Sequence, residues 1–187
     1  IRYLNLEPLM TSHKVPIEIS ARHVHLSDEH LAALFGSQSE LSEFKKISQP
    51  HQFAAQEFVT VSGSASELKV RVVGPTRDET QVELSMTDCR NLGIKPELRI
   101  SGDLKGTPGC VLIGPKGRVV INQGVVVAQR HLHISPEKAT EWQLKHGDII
   151  SIKTTGSRPI TFHNVYVRCR QGVDELSFML DTDEANA

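Results

Sequence analysis

The chain has 187 residues, of which 39% are hydrophobic and 23% charged, and its formal net charge is -1 at pH 7. A chain of this length normally buries well over half of its unfolded surface, so neither disulfides nor a metal ion is needed merely to hold a core. Its basic residues are scattered rather than gathered in one stripe, which argues against a nucleic-acid-binding protein and favours a small-molecule partner.

The cysteines and the distribution of apolar residues indicate the compartment. Cys89, Cys110 and Cys169 are odd in number and form no C-x-x-C pair, a pattern typical of reduced thiols in a cytoplasmic protein. No apolar run is long enough to span a bilayer, and no basic-then-apolar signal peptide opens the sequence. We therefore expect a soluble cytoplasmic protein without a membrane partner.

The first 13 residues read as an N-terminal tail that differs in character from the rest of the chain. They contain a few leucines, but Pro8 limits the length of any helix there. Two alternatives stay open for this segment, a flexible tail and a docking peptide.

The first regular pattern begins at Val15, where "VPIEIS" predicts a strand that continues into "RHVHLS" at residues 22–27. Alternate side chains share one face of a strand, so His23 and His25 point the same way and can chelate one metal ion. Ser27 is expected to cap a helix through "DEHLAALFG", which ends near Gly36.

The middle of the chain is β-like. Short runs rich in Val and Ile predict a succession of strands between residues 57 and 128, and "MTDCRNLGI" at residues 86–94 predicts a helix among them. The close spacing of these strands favours a barrel or a sandwich over a doubly wound parallel sheet.

The stretch "RHLHIS" at residues 130–135 repeats the pattern of the first histidine pair. His131 and His133 again share a face, Ser135 caps, and Pro136 takes the first position of a helix predicted to end with Lys145, His146 and Gly147. Three further strands are predicted before residue 181. The sequence thus predicts a mainly β fold with short helices, in which two β-barrel domains are related by an internal repeat.

The doubled histidine pair favours metal binding over the ordinary strand-edge role of a single pair. Each pair supplies two ligands, whereas catalytic zinc usually has three from the protein, so a carboxylate or another histidine must join. Glu83 is a candidate, since it lies six residues after Arg77 and would share its face on a continuous strand.

Three arginines near these motifs have different expected roles. Arg77 is either a solvated turn residue or an anion-binding group, because a guanidinium offers a planar fork of donors to phosphate or carboxylate. Arg22 and Arg130 precede the histidine pairs and point to the opposite face of the strand, so packing or pairing with acids is expected of them. No serine or cysteine nucleophile motif, Walker loop or dinucleotide-binding loop is present.

Several long motifs resemble one family in order along nearly the whole chain from Val15. They are "VPIEISARHVHLSDEHLAALFG", "QFAAQE", "VVGPTRDETQVELSMTD", "SGDLKGTPG", "VLIGPKG", "AQRHLHIS" and "DTDEANA". They are similar to the PduL-type phosphotransacylases, also called phosphate propanoyltransferases, which transfer an acyl group between coenzyme A and inorganic phosphate at two metal ions, usually taken as zinc. The resemblance implies two β-barrel domains, one of residues 14–46 with 128–187 and the other of residues 47–127.

The resemblance also assigns the metal ligands. It implies a first ion held by His23, His25 and Glu83, with the coenzyme A sulfur free to take the open place, and a second ion held by His131 and His133. The third ligand of the second ion is a histidine in the family, but Met179 stands at that place here. Thioether is a poor zinc ligand beside imidazole, so the sequence leaves three alternatives: water fills the gap, His163 substitutes, or the second ion is weakly bound.

The resemblance assigns the remaining site residue and the partners. Arg77 matches the family's phosphate-contacting arginine. Many relatives reside in bacterial microcompartments through an N-terminal peptide, so residues 1–12 are read either as the remnant of such a peptide, which would contact shell or core proteins, or as an ordinary tail. The acyl chain and homo-oligomerisation stay open. Two other functions compete with acyl transfer: a metal-dependent thioester hydrolase and a non-catalytic metal-binding β-barrel module.

Overall fold

Short strands form most of the regular structure in the computed structural model, which describes residues 13–187. In chain order they are β1 (Ile17–Ile19), β2 (His23–His25), β3 (Glu43–Lys46), β4 (Phe53–Ser62), β5 (Glu67–Gly74), β6 (Gln81–Glu83), β7 (Leu98–Arg99), β8 (Cys110–Ile113), β9 (Arg118–Ile121), β10 (Val125–Ala128), β11 (His131–His133), β12 (Ile149–Lys153), β13 (Thr161–Arg168) and β14 (Ser177–Leu180). The helices are α1 (Asp28–Phe35), α2 (Met86–Leu92), α3 (Pro136–Glu141) and α4 (Thr182–Ala185). The predicted tail lies outside the described residues except for His13.

The strands form two sheets. One has five strands in the order β1-β14-β11-β13-β12, and the other has nine, in the order β7-β10-β6-β2-β5-β4-β8-β9 with β3 paired to β4. The predicted fold class, mainly β with short helices, is confirmed. Two barrels related by an internal repeat stay a prediction.

Both histidine strands have neighbours of the same kind. Strand β2 lies between antiparallel β6 and parallel β5, with β10 parallel to β6 and β4 antiparallel to β5. Strand β11 lies between antiparallel β14 and parallel β13, with β1 parallel to β14 and β12 antiparallel to β13. The neighbours of β2 therefore correspond one by one to those of β11: β6 to β14 on the antiparallel side and β5 to β13 on the parallel side.

The chain changes sheet immediately before each histidine pair. Strand β1 lies in the five-stranded sheet and β2 in the nine-stranded one, so the prediction that one strand runs from Val15 into the first pair is wrong. The reverse change separates β10 from β11. Residues 23–46, which the sequence grouped with 128–187, supply β2 and β3 to the nine-stranded sheet. The division of the chain into one domain of residues 14–46 with 128–187 and another of residues 47–127 stays a prediction.

The serine caps of the two helices after the histidine pairs are confirmed. Ser27 accepts a hydrogen bond from the backbone N–H of His30, and Ser135 accepts one from that of Lys138. Helix α3 ends at Glu141, however, and not near Gly147. Gln143 has a φ of 57°, and the N–H groups after the helix turn back to the carbonyls of Thr140 and Ala139, a Schellman ending.

Each sheet covers its own cluster of buried apolar side chains. Val24 and Leu26 lie in the cluster of the nine-stranded sheet, while Leu132, Ile134 and Phe178 lie in that of the five-stranded sheet. The residue between the two histidines is thus buried in a core in both strands, and this burial directs the histidines to the opposite face. Within residues 13–187, no helix is long and apolar enough to cross a membrane.

Candidate active site

The first histidine pair meets a carboxylate across the sheet. The antiparallel register of β2 and β6 places His23 directly opposite Glu83. The ligand atoms of His23, His25 and Glu83 all lie within 4.8 Å of one another, and His23 Nε2 is 3.6 Å from Glu83 Oε2. The structure therefore brings together the three residues predicted for the first metal ion, in a group of the size that a single ion spans.

Backbone carbonyls fix the tautomer of this pair. His23 Nδ1 lies 2.9 Å from the carbonyl oxygen of Ala21, and His25 Nδ1 lies 3.0 Å from that of Val73. A carbonyl only accepts, so each Nδ1 carries the proton and donates it. The lone pair of each imidazole is then on Nε2, the arrangement that metal-binding histidines use.

Glu83 is buried but ionised. Gln81 Nε2 lies 2.5 Å from its Oε1, and the Ser101 hydroxyl donates to the same oxygen over 2.7 Å. Burial by itself raises the pKa of the carboxyl, but His23, His25, the Ser101 hydrogen bond and Arg77 outweigh it and lower the pKa of Glu83 to about 2. A buried, ionised carboxylate beside two imidazoles whose Nε2 atoms face it is a donor set suited to zinc.

The second pair has an even tighter geometry. The Nε2 atoms of His131 and His133 are 3.0 Å apart. Their Nδ1 atoms donate to the carbonyl oxygen of Gln129 and to the Asp174 carboxylate, both over 2.7 Å. With both protons on Nδ1, two lone pairs face each other across this gap, which is unfavourable unless a cation lies beside them. The pair fits a metal ion for that reason.

Burial keeps the second pair neutral. Desolvation and the neighbouring His133 lower the pKa of His131 to about 4. The pKa of His133 is also lowered by burial, although the hydrogen bond to Asp174 opposes the shift. Both imidazoles are therefore in the form that binds metal at neutral pH.

Met179 takes the place that a third ligand would have at the second pair. It lies opposite His131 in the register of β11 and β14, as Glu83 lies opposite His23 in that of β2 and β6. The Met179 sulfur is 3.5 Å from the Ser177 hydroxyl. His163, the alternative ligand, is exposed and its Nδ1 lies 2.8 Å from Ser151 Oγ. His163 does not line the cleft around the histidines, which argues against the alternative that it substitutes for the missing ligand.

Both histidine pairs line one cleft of about 710 Å³, together with Glu83, Met179 and Arg77. Arg77 lies in the loop between β5 and β6, so the premise of one continuous strand from Arg77 to Glu83 is wrong. Its backbone N–H donates to the carbonyl of Leu26 over 2.9 Å, which holds this loop near the first pair. The two residues share the cleft through the loop rather than through strand alternation.

The two other arginines have the structural roles expected of them. Arg22 pairs with Asp88 at 2.9 Å and Arg130 with Glu184 at 2.6 Å. Asp88 lies in α2, the helix after β6, and Glu184 lies in α4, the helix after β14. Strands β6 and β14 are the antiparallel neighbours of the two histidine strands. The prediction that they pair with acids is confirmed.

Among the residues with polar contacts or charges at the site, the sequence analysis did not single out Gln81, Ser101, Arg168, Arg170 and Asp174. Arg168 and Arg170 alternate in "YVRCR", a signal that could have been read as two cations on one face. Ser101 lies 18 residues from Glu83 and Asp174 lies 41 residues from His133, so no local pattern connects them with these site residues.

The comparisons with known proteins agree on one family. The family model described as phosphate propanoyltransferase matches residues 16–187. A relative from Thermotoga maritima is 48% identical over 173 residues, covering 91% of this chain and 82% of its own. Relatives from Sebaldella termitidis and Citrobacter rodentium are 46% and 47% identical, covering 91% and 95% of this chain and 81% and 85% of their own. All three are named phosphate propanoyltransferase.

Proposed function

Because this chain belongs to the phosphate propanoyltransferase family of acyltransferases, we propose that it moves a short acyl group, propanoyl or acetyl, between coenzyme A and inorganic phosphate. The reaction is acyl-CoA plus phosphate giving acyl phosphate plus CoA. The observation that carries the proposal is the convergence of two oriented histidine pairs, a buried carboxylate and Arg77 on one cleft.

We propose that two divalent ions, taken as zinc, belong to this cleft. His23, His25 and Glu83 would hold one ion, and His131 and His133 with Met179 beside them would hold the other. Ions bound there supply positive charge for a thiolate leaving group and for phosphate oxygens. The carbonyls of Ala21, Val73 and Gln129 and the carboxylate of Asp174 keep the imidazoles turned towards the cleft.

Arg77 is the group we assign to the phosphate. A phosphate oxygen attacks the thioester carbonyl, a carbon–oxygen bond forms, the carbon–sulfur bond breaks, and CoA leaves as the thiolate. The guanidinium of Arg77 can hold the phosphate by two parallel hydrogen bonds and reduce its repulsion from the developing oxyanion. No side chain of the enzyme needs to act as a nucleophile, in agreement with the absence of a nucleophile motif from the sequence.

A thiol-release assay tests this function. Metal-loaded protein is incubated with acetyl-CoA or propanoyl-CoA, with and without inorganic phosphate, and free thiol and acyl phosphate are measured. Phosphate-dependent thiol release with an equal amount of acyl phosphate is expected. Thiol release that ignores phosphate would identify the hydrolase, and no release would favour the binding module.

Replacing Met179 with histidine tests the second ion. Met179→His is expected to tighten the more readily removed of the two ions by more than about tenfold, because an imidazole replaces a weak thioether ligand. The measurement is metal content after equilibration with a series of buffered free chelator concentrations. Two equally tight ions in the unmodified protein would contradict the assignment of Met179 to an incomplete ligand set.

Metal-free protein is expected to lose stability in acid. The pKa of His131 is about 4 in the folded protein and near 6.5 when unfolded, so the unfolded chain binds more protons between these values and stability falls as the pH falls. The loss between pH 7 and pH 4 is of order 3 kcal/mol for this residue. Urea unfolding of chelated protein across this range measures it, and His131→Gln should flatten the slope. An unchanged slope would show that other groups cause the acid loss.

Three further expectations stay predictions. Contact with microcompartment shell or core proteins depends on residues 1–12, which lie outside the described residues. Cytoplasmic location and homo-oligomerisation likewise rest on the sequence and the family resemblance.

A further inference from the structure

Arg168 is a buried cation on the wall of the cleft. It ends strand β13, lies opposite His133 in the parallel register with β11, and is 8% exposed. Its backbone carbonyl accepts from the N–H of Ile134 over 3.0 Å, so the backbone at this point is fixed by the sheet. The side chain nevertheless lines the same cleft as Arg77 and both histidine pairs.

The guanidinium of Arg168 has no acidic partner within residues 13–187. The charge of Asp174 acts on Arg168, but this carboxylate is bonded to other groups. Its Oδ1 accepts from His133 Nδ1 and Arg170 Nη2, and its Oδ2 accepts from Arg170 Nε. Arg168 forms neither an ion pair nor a side-chain hydrogen bond among the described residues, and the same holds for Arg77. By contrast, Arg22 and Arg130 both have a carboxylate within 3 Å.

An unpaired buried charge is costly, and proteins normally neutralise one with a partner. Burial and the neighbouring Arg170 lower the pKa of the Arg168 guanidinium, and the charges of Asp174 and Glu83 oppose this shift from a distance without forming an ion pair with it. Two guanidinium groups without a carboxylate in contact, those of Arg77 and Arg168, are suited to an anionic ligand that enters the cleft and makes the missing hydrogen bonds. Phosphate, with three or more acceptor oxygens, can satisfy two guanidinium groups at once.

We propose that Arg168 is a second phosphate-binding residue, which contacts the transferring phosphate from the five-stranded sheet while Arg77 contacts it from the nine-stranded sheet. This inference rests on the proposed function and deepens it. The phosphate would be held between the two sheets beside His133, so that binding of the anion also fixes the distance across the cleft.

The test measures phosphate binding and stability together. The variants are Arg168→Gln and Arg168→Lys, and the matched control is Arg118→Gln, an exposed arginine of β9 outside the cleft. Inorganic phosphate is titrated against the melting temperature of each metal-loaded protein, and the KM values for phosphate and for acetyl-CoA are determined separately. Melting of each protein without phosphate reports a purely structural role.

We expect Arg168→Gln to raise the dissociation constant and the KM for phosphate at least about tenfold, as loss of a charge-assisted hydrogen bond does. The KM for acetyl-CoA should stay within about twofold, and melting without phosphate should be unchanged or higher, since an unpaired buried charge is removed. Arg168→Lys should lie between wild type and Arg168→Gln, and Arg118→Gln should behave as wild type.

Two results would overturn the proposal. One is a phosphate-free melting temperature that falls in Arg168→Gln while phosphate binding is retained, which would make the residue structural. The other is an equal rise in the KM for acetyl-CoA, which would place Arg168 on the phosphates of coenzyme A. If wild type binds phosphate through Arg168 but releases no thiol, the acyl-transfer function fails and the anion site stands.

Discussion

Replacing His23 or His25 with alanine is expected to remove the first metal ion and to lower the rate of acyl transfer by more than about a hundredfold, with the fold retained. Each variant deletes one of three ligand atoms that lie within 4.8 Å of one another, and loss of a direct ligand costs more than the tenfold to hundredfold typical of its supporting contacts. Metal content, thiol release and circular dichroism measure the three parts of this expectation.

The fold should survive in these variants because the core contact of strand β2 is made by Val24, which is fully buried between the two histidines. His163→Ala is the matched control, since this histidine is exposed and bonded to Ser151 outside the cleft. Its metal content and activity should equal those of wild type. Full activity in a metal-loaded His23→Ala, His25→Ala double variant would refute the metal assignment.

The geometry within each histidine pair was predictable because it is local. Strand alternation alone places His131 and His133 on one face, and the structure finds their Nε2 atoms 3.0 Å apart. The serine caps were predictable for the same reason, since an N-cap acts over three residues.

The sheet to which each strand belongs was not predictable in this way. The alternating pattern of "VPIEIS" is satisfied equally by a strand in either sheet, and nothing in residues 20–22 marks the change between them. Likewise, the end of α3 depends on Gln143 adopting a positive φ, a conformation that glycine or asparagine would have signalled and glutamine does not.

Strand register rather than sequence spacing decides which residue lies in the place of a third ligand beside each histidine pair. His23 meets Glu83 and His131 meets Met179 because β6 and β14 pair with the histidine strands in the same antiparallel sense. The separations are 60 and 48 residues along the chain, so only the paired strands reveal that the two positions correspond. The family resemblance pointed to Met179, and the register gives the physical reason why that position matters.

Arg77→Ala is expected to raise the KM for phosphate by at least about tenfold and to lower turnover by about a hundredfold, since one guanidinium both binds the anion and stabilises charge that develops during attack. The KM for acetyl-CoA should change little, because Arg77 is assigned to the anion alone. Initial rates over a grid of phosphate and acetyl-CoA concentrations separate these constants, with Arg118→Ala as the control for loss of a cation.

The fold should tolerate this change because no carboxylate of the described residues is left without a partner when Arg77 is removed. Glu83, whose pKa Arg77 helps to lower, keeps His23, His25 and the Ser101 hydrogen bond as stronger influences. Lysine at this position keeps the charge but not the planar fork, so Arg77→Lys should restore part of the phosphate affinity and less of the turnover. An equal loss of affinity for acetyl-CoA in Arg77→Ala would mean that Arg77 contacts acetyl-CoA and is not a residue for inorganic phosphate alone. Arg168 would then be the arginine left to hold the phosphate.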